Sequence, residues 1–520
     1  MLGQAISSSK NTKGLVLGTR RLYAIGDSQT FQNIAGLEQT NNSITALTNA
    51  DPCVVTQSAH GYETGDEVFL FGCAGMTQVN EKVFTITVVD ANSFSLNGID
   101  STAYGTYTGG QGRAFCIGNT AVSSDNRIGK ISNSWIGHAL KFMGQRFEFE
   151  ARGNRGVSSE QTSSMVARLS EHLPKTAGIT DVIIVGGTND ANALVALATY
   201  QANINSMMSY VHTTLKARVI IGTIPPWDGQ TTAQKDLRDS YNAWIKTLGS
   251  SVKGAEIMVV DFYSVLADPA TRQYNTGMTG DGIHPNGKGA MVMGQKMAQV
   301  LSPVYGVGEY REKATNLIVN PSFTGTGGTA TGGSTTWTNP SQVATNWTAN
   351  VNGNATSPAT RVLSKDGQGR QVIDFSFPAL LGGAEGGGFS QVVGAGSLVD
   401  GQWYTAEMLL LLDQYNAPDP SAYPADFSIG IFNGSTQISK DGGLLSGTSY
   451  PEQQGSILKT QSGLYGVHFK CLPVKYIAGV YTSGLKLQCD VRFKTDVATG
   501  LSAKFIPVHA QLYPVASPYV

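Results

Sequence analysis

The chain has few charged residues, no long apolar run and no recognisable export signal. Asp, Glu, Lys and Arg make up 14% of the 520 residues, and the formal net charge is −1. So small a net charge gives no argument for a nucleic-acid partner, and none is expected. No apolar stretch is long enough to cross a bilayer, so membrane insertion is not expected. The opening sequence MLGQAISSSKNTKG lacks the apolar segment of a signal peptide, which predicts a protein made in the cytoplasm.

Cysteine is scarce, and its spacing argues against both a zinc site and a disulfide scaffold. The five cysteines are odd in number, widely separated and without a C-x-x-C pair: Cys53, Cys73, Cys116, Cys471 and Cys489. Reduced, partly buried thiols are the simpler interpretation.

The length predicts two or more domains, and one of them alternates strands with helices. Five short apolar or β-rich runs end in turn residues: 21–26, 147–153, 181–187, 218–226 and 256–263. Helix-like stretches accompany them: 158–172, 191–215, 232–248 and 287–301. Strands separated by helices indicate βαβ units, so these segments predict a doubly wound α/β domain with a parallel sheet.

Two further regions have only strand patterns. Residues 43–116 alternate apolar and polar residues between frequent turns, which predicts an all-β insertion. After about residue 310 the helical pattern ends, and a Gly/Thr/Asn-rich region with strand-like runs predicts a β-sandwich. The predicted domains are therefore 1–42 with 117–308, then 43–116, and 309–520. Trp337, Trp347 and Trp403 of the last region are interpreted as core residues, with stacking on sugar rings as the alternative.

Two segments of the α/β region carry the residues of a serine nucleophile and its base. Ser28 follows the first strand in Gly-Asp-Ser, where binding sites of such sheets lie. Asp281 and His284 stand three residues apart before the last helix. A serine hydroxyl needs a base within hydrogen-bond reach, and that base needs an orienting partner. Either segment alone is also compatible with a helix cap or an ordinary surface histidine.

Two other strand ends offer groups that could stabilise an oxyanion. Asn189 follows the third strand in GGTND, and its side-chain amide is a suitable donor. Asp190 is expected to cap the following helix rather than to react. The loop 153–159 follows the second strand, and a backbone N–H of this loop would complete the donor set.

Together, the four segments in this order resemble the SGNH (GDSL) hydrolase family over residues 20–35 and 125–305. Ser28, Asn189, Asp281 and His284 match the family's key positions, and Trp135 fits the helix after its first motif. The resemblance implies a flavodoxin-like three-layer α/β/α domain and a two-step ester hydrolysis that needs no metal and no cofactor. In it Ser28 is the nucleophile, His284 the base and Asp281 its partner. The implied oxyanion hole uses the N–H of Ser28, the Asn189 amide and an N–H of the second segment. Many family members have glycine where this chain has Ser159, and an alternative alignment places Gly156 there.

The two β regions also have resemblances, which bear on the substrate. Residues 43–116 resemble the FCCH-like domain, named after ubiquitin-activating enzymes and also found in phage tail proteins. The matching positions are His60-Gly61, Gly65-Asp66, Gly75-Met76, Asn80, Tyr104-Gly105 and Gly109-Gly110. NLIVNPSF (316–323), followed by Trp347, resembles the start of jelly-roll carbohydrate-binding modules.

These combined resemblances imply a carbohydrate O-acetylesterase of a phage tail spike or fibre. It would act outside the cell on acetylated bacterial polysaccharide or another small ester, beside other virion tail proteins. The open alternatives are a non-catalytic receptor-binding or structural tail protein and a bacterial esterase with a binding module. A homotrimer also stays open, since spikes commonly trimerise although no heptads mark it here.

Overall fold

The computed structural model describes most of the chain. The described residues are 20–31, 43–109, 112–116, 134–144, 146–147, 149, 153–249, 256–305, 312–331, 337–352, 360–377, 384–416, 424–442, 460–471, 473–494 and 501–516. The N-terminal segment on which the export prediction rests lies outside them. None of the described helices has the length and apolarity that a membrane span requires.

The first strand leads into a separate antiparallel sheet. β1 (Leu22–Gly26) is followed by the single turn of helix α1 (Ser28–Phe31). Six short strands then form a sheet in the order β2-β3-β6-β5-β4-β7. These are β2 (Ala46–Leu47), β3 (Val54–Thr56), β4 (Glu67–Phe71), β5 (Lys82–Asp90), β6 (Ser93–Leu96) and β7 (Arg113–Cys116). In β5, Phe84 and Ile86 are buried while Thr85 and Thr87 are exposed, so one face of the sheet forms a core. The prediction of an all-β segment here is confirmed.

The α/β region forms a five-stranded parallel sheet in the order β11-β10-β9-β1-β8. Its remaining strands are β8 (Asn154–Gly156), β9 (Asp181–Val185), β10 (Arg218–Gly222) and β11 (Ile257–Val260). Counted along this sheet, the order is the flavodoxin-like 2-1-3-4-5, as the family resemblance implied. The order reverses between β1 and β9, and ligands bind at the carboxyl ends of the strands flanking such a point.

Helices cover both faces of this sheet and give it three layers. Leu22 and Ala24 of β1 pack into one apolar cluster with α2 (Trp135–Phe142), α8 (Tyr263–Leu266) and α9 (Gly287–Tyr305). Tyr23 and Ile25 point to the other face, where α3 (Thr162–Ala167), α4 (Leu169–His172), α6 (Leu197–Ser209) and α7 (Thr232–Ile245) pack. A strand buried on both faces is continuously apolar, which is why the sequence predicted it easily.

Three of the predicted elements begin or are interrupted at residues other than those predicted. The second strand, expected at 147–153, is β8 at Asn154–Gly156, because the register to β1 pairs Ala24 with Asn154. The helix expected at 158–172 begins only at Thr162 and breaks at Arg168. The helix expected at 191–215 is interrupted where Leu194 has a φ of +56°, between α5 (Thr188–Asn192) and α6. A left-handed residue cannot continue a right-handed helix.

The C-terminal region is a β-sandwich of two six-stranded sheets. The first sheet contains β12 (Thr329–Ala330), β13 (Thr348–Asn352), β16 (Ala384–Val393), β18 (Pro424–Asn433), β19 (Thr436–Gly442) and β22 (Leu485–Lys494). The second contains β14 (Thr360–Lys365), β15 (Gln371–Phe377), β17 (Trp403–Asn416), β20 (Thr460–Lys470), β21 (Val474–Lys475) and β23 (Leu501–Val515). Side chains of both sheets share one apolar core.

The tryptophans and cysteines of the β regions belong to the interior. Trp337 and Trp347 are each 1% exposed and Trp403 is 6% exposed, which confirms the core interpretation over sugar stacking. Four cysteines are buried and form no disulfide with another described cysteine: Cys53, Cys73, Cys471 and Cys489. The side chain of Cys116 lies outside the described part.

Candidate active site

Ser28 lies in a tight turn at the carboxyl end of β1, at the point where the strand order reverses. The turn requires Gly26, because a Cβ there would lie 1.9 Å from the carbonyl oxygen of Val185. Ser28 is 7% exposed, and its N–H makes no hydrogen bond to any described residue. An unbonded N–H at the first residue of a helix is available to a ligand.

Asp27, which the sequence reasoning passed over, ties this turn to the end of β9. One carboxylate oxygen accepts the N–H of Gln29 at 2.9 Å, and the other accepts those of Gly187 and Thr188 at 3.2 Å. Burial raises the pKa of Asp27 to about 6, although these three hydrogen bonds act in the opposite direction. A polar residue directly after a buried strand was the available signal, but by itself it also fits an ordinary helix cap.

Asp281 and His284 form a hydrogen-bonded pair in the turn before α9. Oδ2 of Asp281 lies 2.7 Å from Nδ1 of His284, and Oδ1 accepts the backbone N–H groups of His284 and Ile283 at 2.7 and 2.8 Å. Burial raises the pKa of Asp281, but the hydrogen bonds from His284 and Ile283 lower it by more. Its pKa therefore lies well below the usual range, and Asp281 is a carboxylate at any pH near neutral.

The serine turn and the histidine turn are joined through their neighbours. The Gln29 amide donates to the carbonyl of Ile283 at 2.7 Å, and the Tyr274 hydroxyl donates to the same oxygen at 2.9 Å. Nε2 of His284 is buried and has no hydrogen-bond partner among the described residues, Ser28 included. Catalytic hydrogen bonds are commonly longer without substrate, so the free Nε2 is compatible with a general base.

The loop after β8 distinguishes between the two predicted backbone donors. The N–H of Gly156 is bonded to Oδ1 of Asn154 at 3.1 Å, and the next N–H, of Val157, is bonded to the Gly26 carbonyl at 3.0 Å. The N–H of Ser159 has no partner among the described residues. Ser159 also has a φ of +64°, the left-handed conformation that glycine adopts most readily. The backbone geometry therefore favours Ser159 over Gly156 as a donor.

Asn189 lies at the start of α5, opposite that loop. Its Nδ2 donates one hydrogen to the carbonyl of Glu160 at 2.9 Å, which orients the amide and leaves its second hydrogen available. The prediction that Asp190 caps the following helix is wrong. Its carboxylate accepts the N–H and hydroxyl of Thr162 at 2.9 and 2.6 Å and so caps α3.

A buried arginine holds the serine turn and the donor loop together. Arg168 donates to the carbonyls of Arg155 and Gly26 at 2.9 and 3.2 Å and pairs with Glu160 at 2.6 Å. Because these contacts join both ends of the loop to β1, they fix the loop relative to Ser28. No local sequence pattern marks Arg168, which lies within a predicted helix. No group of three potential metal ligands occurs among the described side chains.

Family comparisons support a hydrolase. Residues 100–292 match the GDSL-like lipase/acylhydrolase family, and residues 51–114 match the FCCH domain of ubiquitin-activating enzyme E1. The first match supports a GDSL-type hydrolase domain. It includes Ser159, Asn189, Asp281 and His284 but not Ser28, which precedes the inserted sheet. No curated protein matches the chain.

Similar solved structures cover about a third of the chain. A lipolytic G-D-S-L family protein from Desulfitobacterium hafniense DCB-2 is 24% identical, with 34% of this chain and 93% of that chain covered and a TM-score of 0.28. A GDSL-like lipase from Bacteroides thetaiotaomicron VPI-5482 is 21% identical, with 32% and 83% covered and a TM-score of 0.26. A carbohydrate esterase family 3 protein from Talaromyces cellulolyticus is 14% identical, with 34% and 90% covered and a TM-score of 0.26.

Proposed function

We propose that the protein is a serine carboxyl-ester hydrolase in which Ser28 attacks the ester, His284 takes its proton and Asp281 orients His284. The observation that carries this proposal is the Asp281–His284 pair with its free, buried Nε2, tied to the serine turn by the bond between Gln29 and Ile283. Asp281 fixes the proton of the ring on Nδ1, so Nε2 is the basic nitrogen.

The oxyanion of the tetrahedral intermediate would be held by three donors. They are the N–H of Ser28, the N–H of Ser159 and the free hydrogen of the Asn189 amide. Ser28, Ser159 and Asn189 follow the carboxyl ends of β1, β8 and β9, respectively, and negative charge would develop beside Ser28. Each donor of this kind contributes about a hundredfold or more to the rate. The intermediate then collapses as its bond to the alcohol breaks and His284 gives its proton to the departing alcohol. Water hydrolyses the resulting acyl-enzyme with His284 again acting as base.

We further propose that the substrate is an O-acetylated polysaccharide of a bacterial surface and that the protein is part of a phage tail. This step is supported by the combination of the hydrolase domain with an FCCH-type insertion and a C-terminal β-sandwich. Assembly as a homotrimer belongs to the same proposal, and light scattering of the purified chain tests it.

The test is hydrolysis of p-nitrophenyl acetate by the wild-type protein, by Ser28→Ala and by Ser240→Ala. Ser240 donates to the Asp236 carbonyl within α7 and serves as the matched control. Activity that is lost in Ser28→Ala and kept in Ser240→Ala supports the serine mechanism. Labelling of Ser28 by a fluorophosphonate, which reacts with activated serines, is the second measurement.

The substrate class is tested with acyl chains of increasing length and with acetylated glycans. A steep fall in kcat/KM beyond acetate, together with acetate release from a glycan, supports a deacetylase. Equal rates for long and short acyl chains would contradict it. An inactive wild-type protein whose Ser28 does not react with the fluorophosphonate would refute the enzyme and favour a non-catalytic tail protein.

A further inference from the structure

The inserted sheet contacts the hydrolase domain directly beside the candidate oxyanion loop. Arg155 is the middle residue of β8, pairs with Ile25 of β1 and lies four residues before Ser159. Its side chain is fully buried, and Nη2 donates to both carboxylate oxygens of Glu81 at 2.8 and 3.1 Å. Glu81 lies in the turn before β5 of the insertion, so this ion pair joins two parts of the chain that are distant in sequence.

An aromatic contact strengthens the same junction. The guanidinium carbon of Arg155 lies 3.8 Å from the ring centroid of Phe71, at the end of β4. Phe71 also meets the ring of His172 in α4 edge-on, with 5.6 Å between centroids. The insertion therefore contacts both the edge strand of the parallel sheet and a helix that follows the donor loop.

The position of Glu81 is fixed within the insertion. Asn80 bonds to both the N–H and the carbonyl of Cys73, at 2.7 and 3.1 Å, which locks the preceding turn. The N–H of Glu81 is bonded to Leu70, and its φ of +59° is left-handed. A glutamate held in a costly backbone conformation and presented to one arginine is a rigid support rather than a flexible surface contact.

Arg155 depends on this partner. Its Nε and Nη1 are buried and have no hydrogen-bond partner among the described residues, so Glu81 is the carboxylate that compensates the buried charge. Removing one partner of a buried ion pair leaves an uncompensated charge, which the surrounding structure relieves by moving. The Arg155 carbonyl also accepts a hydrogen bond from Arg168, so such a movement would reach the loop that carries Ser159.

We propose that the inserted β-domain is a working part of the active site, in which Glu81 and Phe71 hold Arg155 and thereby position the Ser159 N–H for the oxyanion. Arg155 and Glu81 are positioning residues, since both are argued to act through the loop that carries Ser159. The inference rests on the proposed esterase function. It goes beyond that function because it gives a domain outside the hydrolase fold an effect on the catalytic rate.

The test compares Glu81→Gln with Glu67→Gln. Glu67 of the same insertion pairs with Lys475 of the C-terminal sandwich at 2.9 Å, so the control also removes an ion pair between domains. With p-nitrophenyl acetate, we expect Glu81→Gln to lower kcat about tenfold or more while KM stays within about threefold, because misplacing a group near the reacting atoms affects mainly the transition state. Glu67→Gln should keep the wild-type kcat. Equal kcat values for the two variants would overturn the proposal.

Hydrogen exchange gives a second measurement that does not need activity. Amides of residues 156–160 should exchange faster in Glu81→Gln than in Glu67→Gln, and unchanged exchange there would overturn the proposal. An inactive wild-type protein would refute the esterase function but leave this arm to decide the positioning role. If Glu81→Gln does not fold, Glu81→Asp retains the charge, shortens the reach and carries the same expectations against Glu67→Asp.

Discussion

Replacing Asp281 by asparagine should inactivate the protein almost completely, although the change replaces a single oxygen by NH₂. In the native turn Oδ1 accepts two backbone N–H groups, from Ile283 and His284, and Oδ2 accepts the proton of His284 Nδ1. An asparagine must place its own oxygen where the two N–H groups point, because its NH₂ would meet two donors there. Its NH₂ then faces Nδ1 of His284.

That orientation selects the wrong tautomer of the base. A ring that accepts a hydrogen bond at Nδ1 carries its proton on Nε2 and cannot take the proton of Ser28. The same substitution in the serine protease triad lowers kcat about 10⁴-fold, or roughly 5.5 kcal/mol in activation free energy. Two backbone donors fix the amide orientation here, so we expect a loss of similar size in kcat on p-nitrophenyl acetate.

Steady-state kinetics of Asp281→Asn and Asp281→Ala, with circular dichroism to check folding, measure this effect. Alanine removes the orienting partner but leaves His284 free to choose its tautomer, so Asp281→Asn should be no more active than Asp281→Ala. A value of kcat for Asp281→Asn within about tenfold of the wild type would refute the reasoning. It would mean that Asp281 does not determine the state of His284.

Three further predictions concern the serine turn and the oxyanion donors. Asn189→Ala should lower kcat about a hundredfold or more, whereas Asn192→Ala on the same helix should not. Ser159→Gly should keep its N–H and its activity, and a large loss of kcat would contradict a main-chain role. Burial raises the pKa of Asp27 from 3.8 to about 6. The folded state therefore binds this proton more tightly than the unfolded state does, and the stability gained from the bound proton declines as pH rises between these two values. As pH rises from 4 to 6, the free energy of unfolding of the wild type should therefore fall by up to about 3 kcal/mol relative to that of Asp27→Asn, as measured by thermal unfolding. Profiles of stability against pH that run parallel for the wild type and Asp27→Asn would refute this prediction.

The sequence was sufficient to predict the sheet and the strand ends that carry the site, because both depend on local pattern. Strands buried on two faces are short apolar runs, and parallel strands place their following turns at one edge. Ser28, Asn189, Asp281 and His284 were therefore predicted from strand ends and motif order, and the structure places Asp281 against His284. Whether these residues act together in catalysis stays a prediction.

The errors arise where a tertiary contact overrides a local preference. Residues 158–161 read as the start of a helix, but Asp190, from another strand end, caps Thr162 and so sets the first turn of α3. The choice between Gly156 and Ser159 could not be made from sequence either. It depends on which N–H is already bonded within the loop, and Asn154 occupies that of Gly156.

The inserted sheet is attached to the edge strand of the parallel sheet, a contact that no pattern in the amino-acid sequence predicts. The inserted sheet follows the turn that carries Ser28, at the carboxyl ends of the strands where the candidate site lies. β8 is an edge strand of this sheet, and an uncovered edge is open to pairing with other chains. The ion pair of Arg155 with Glu81 fastens the insertion to that strand and leaves no exposed charge on Arg155. We therefore expect the insertion to alter turnover without contributing any atom to the proposed reaction.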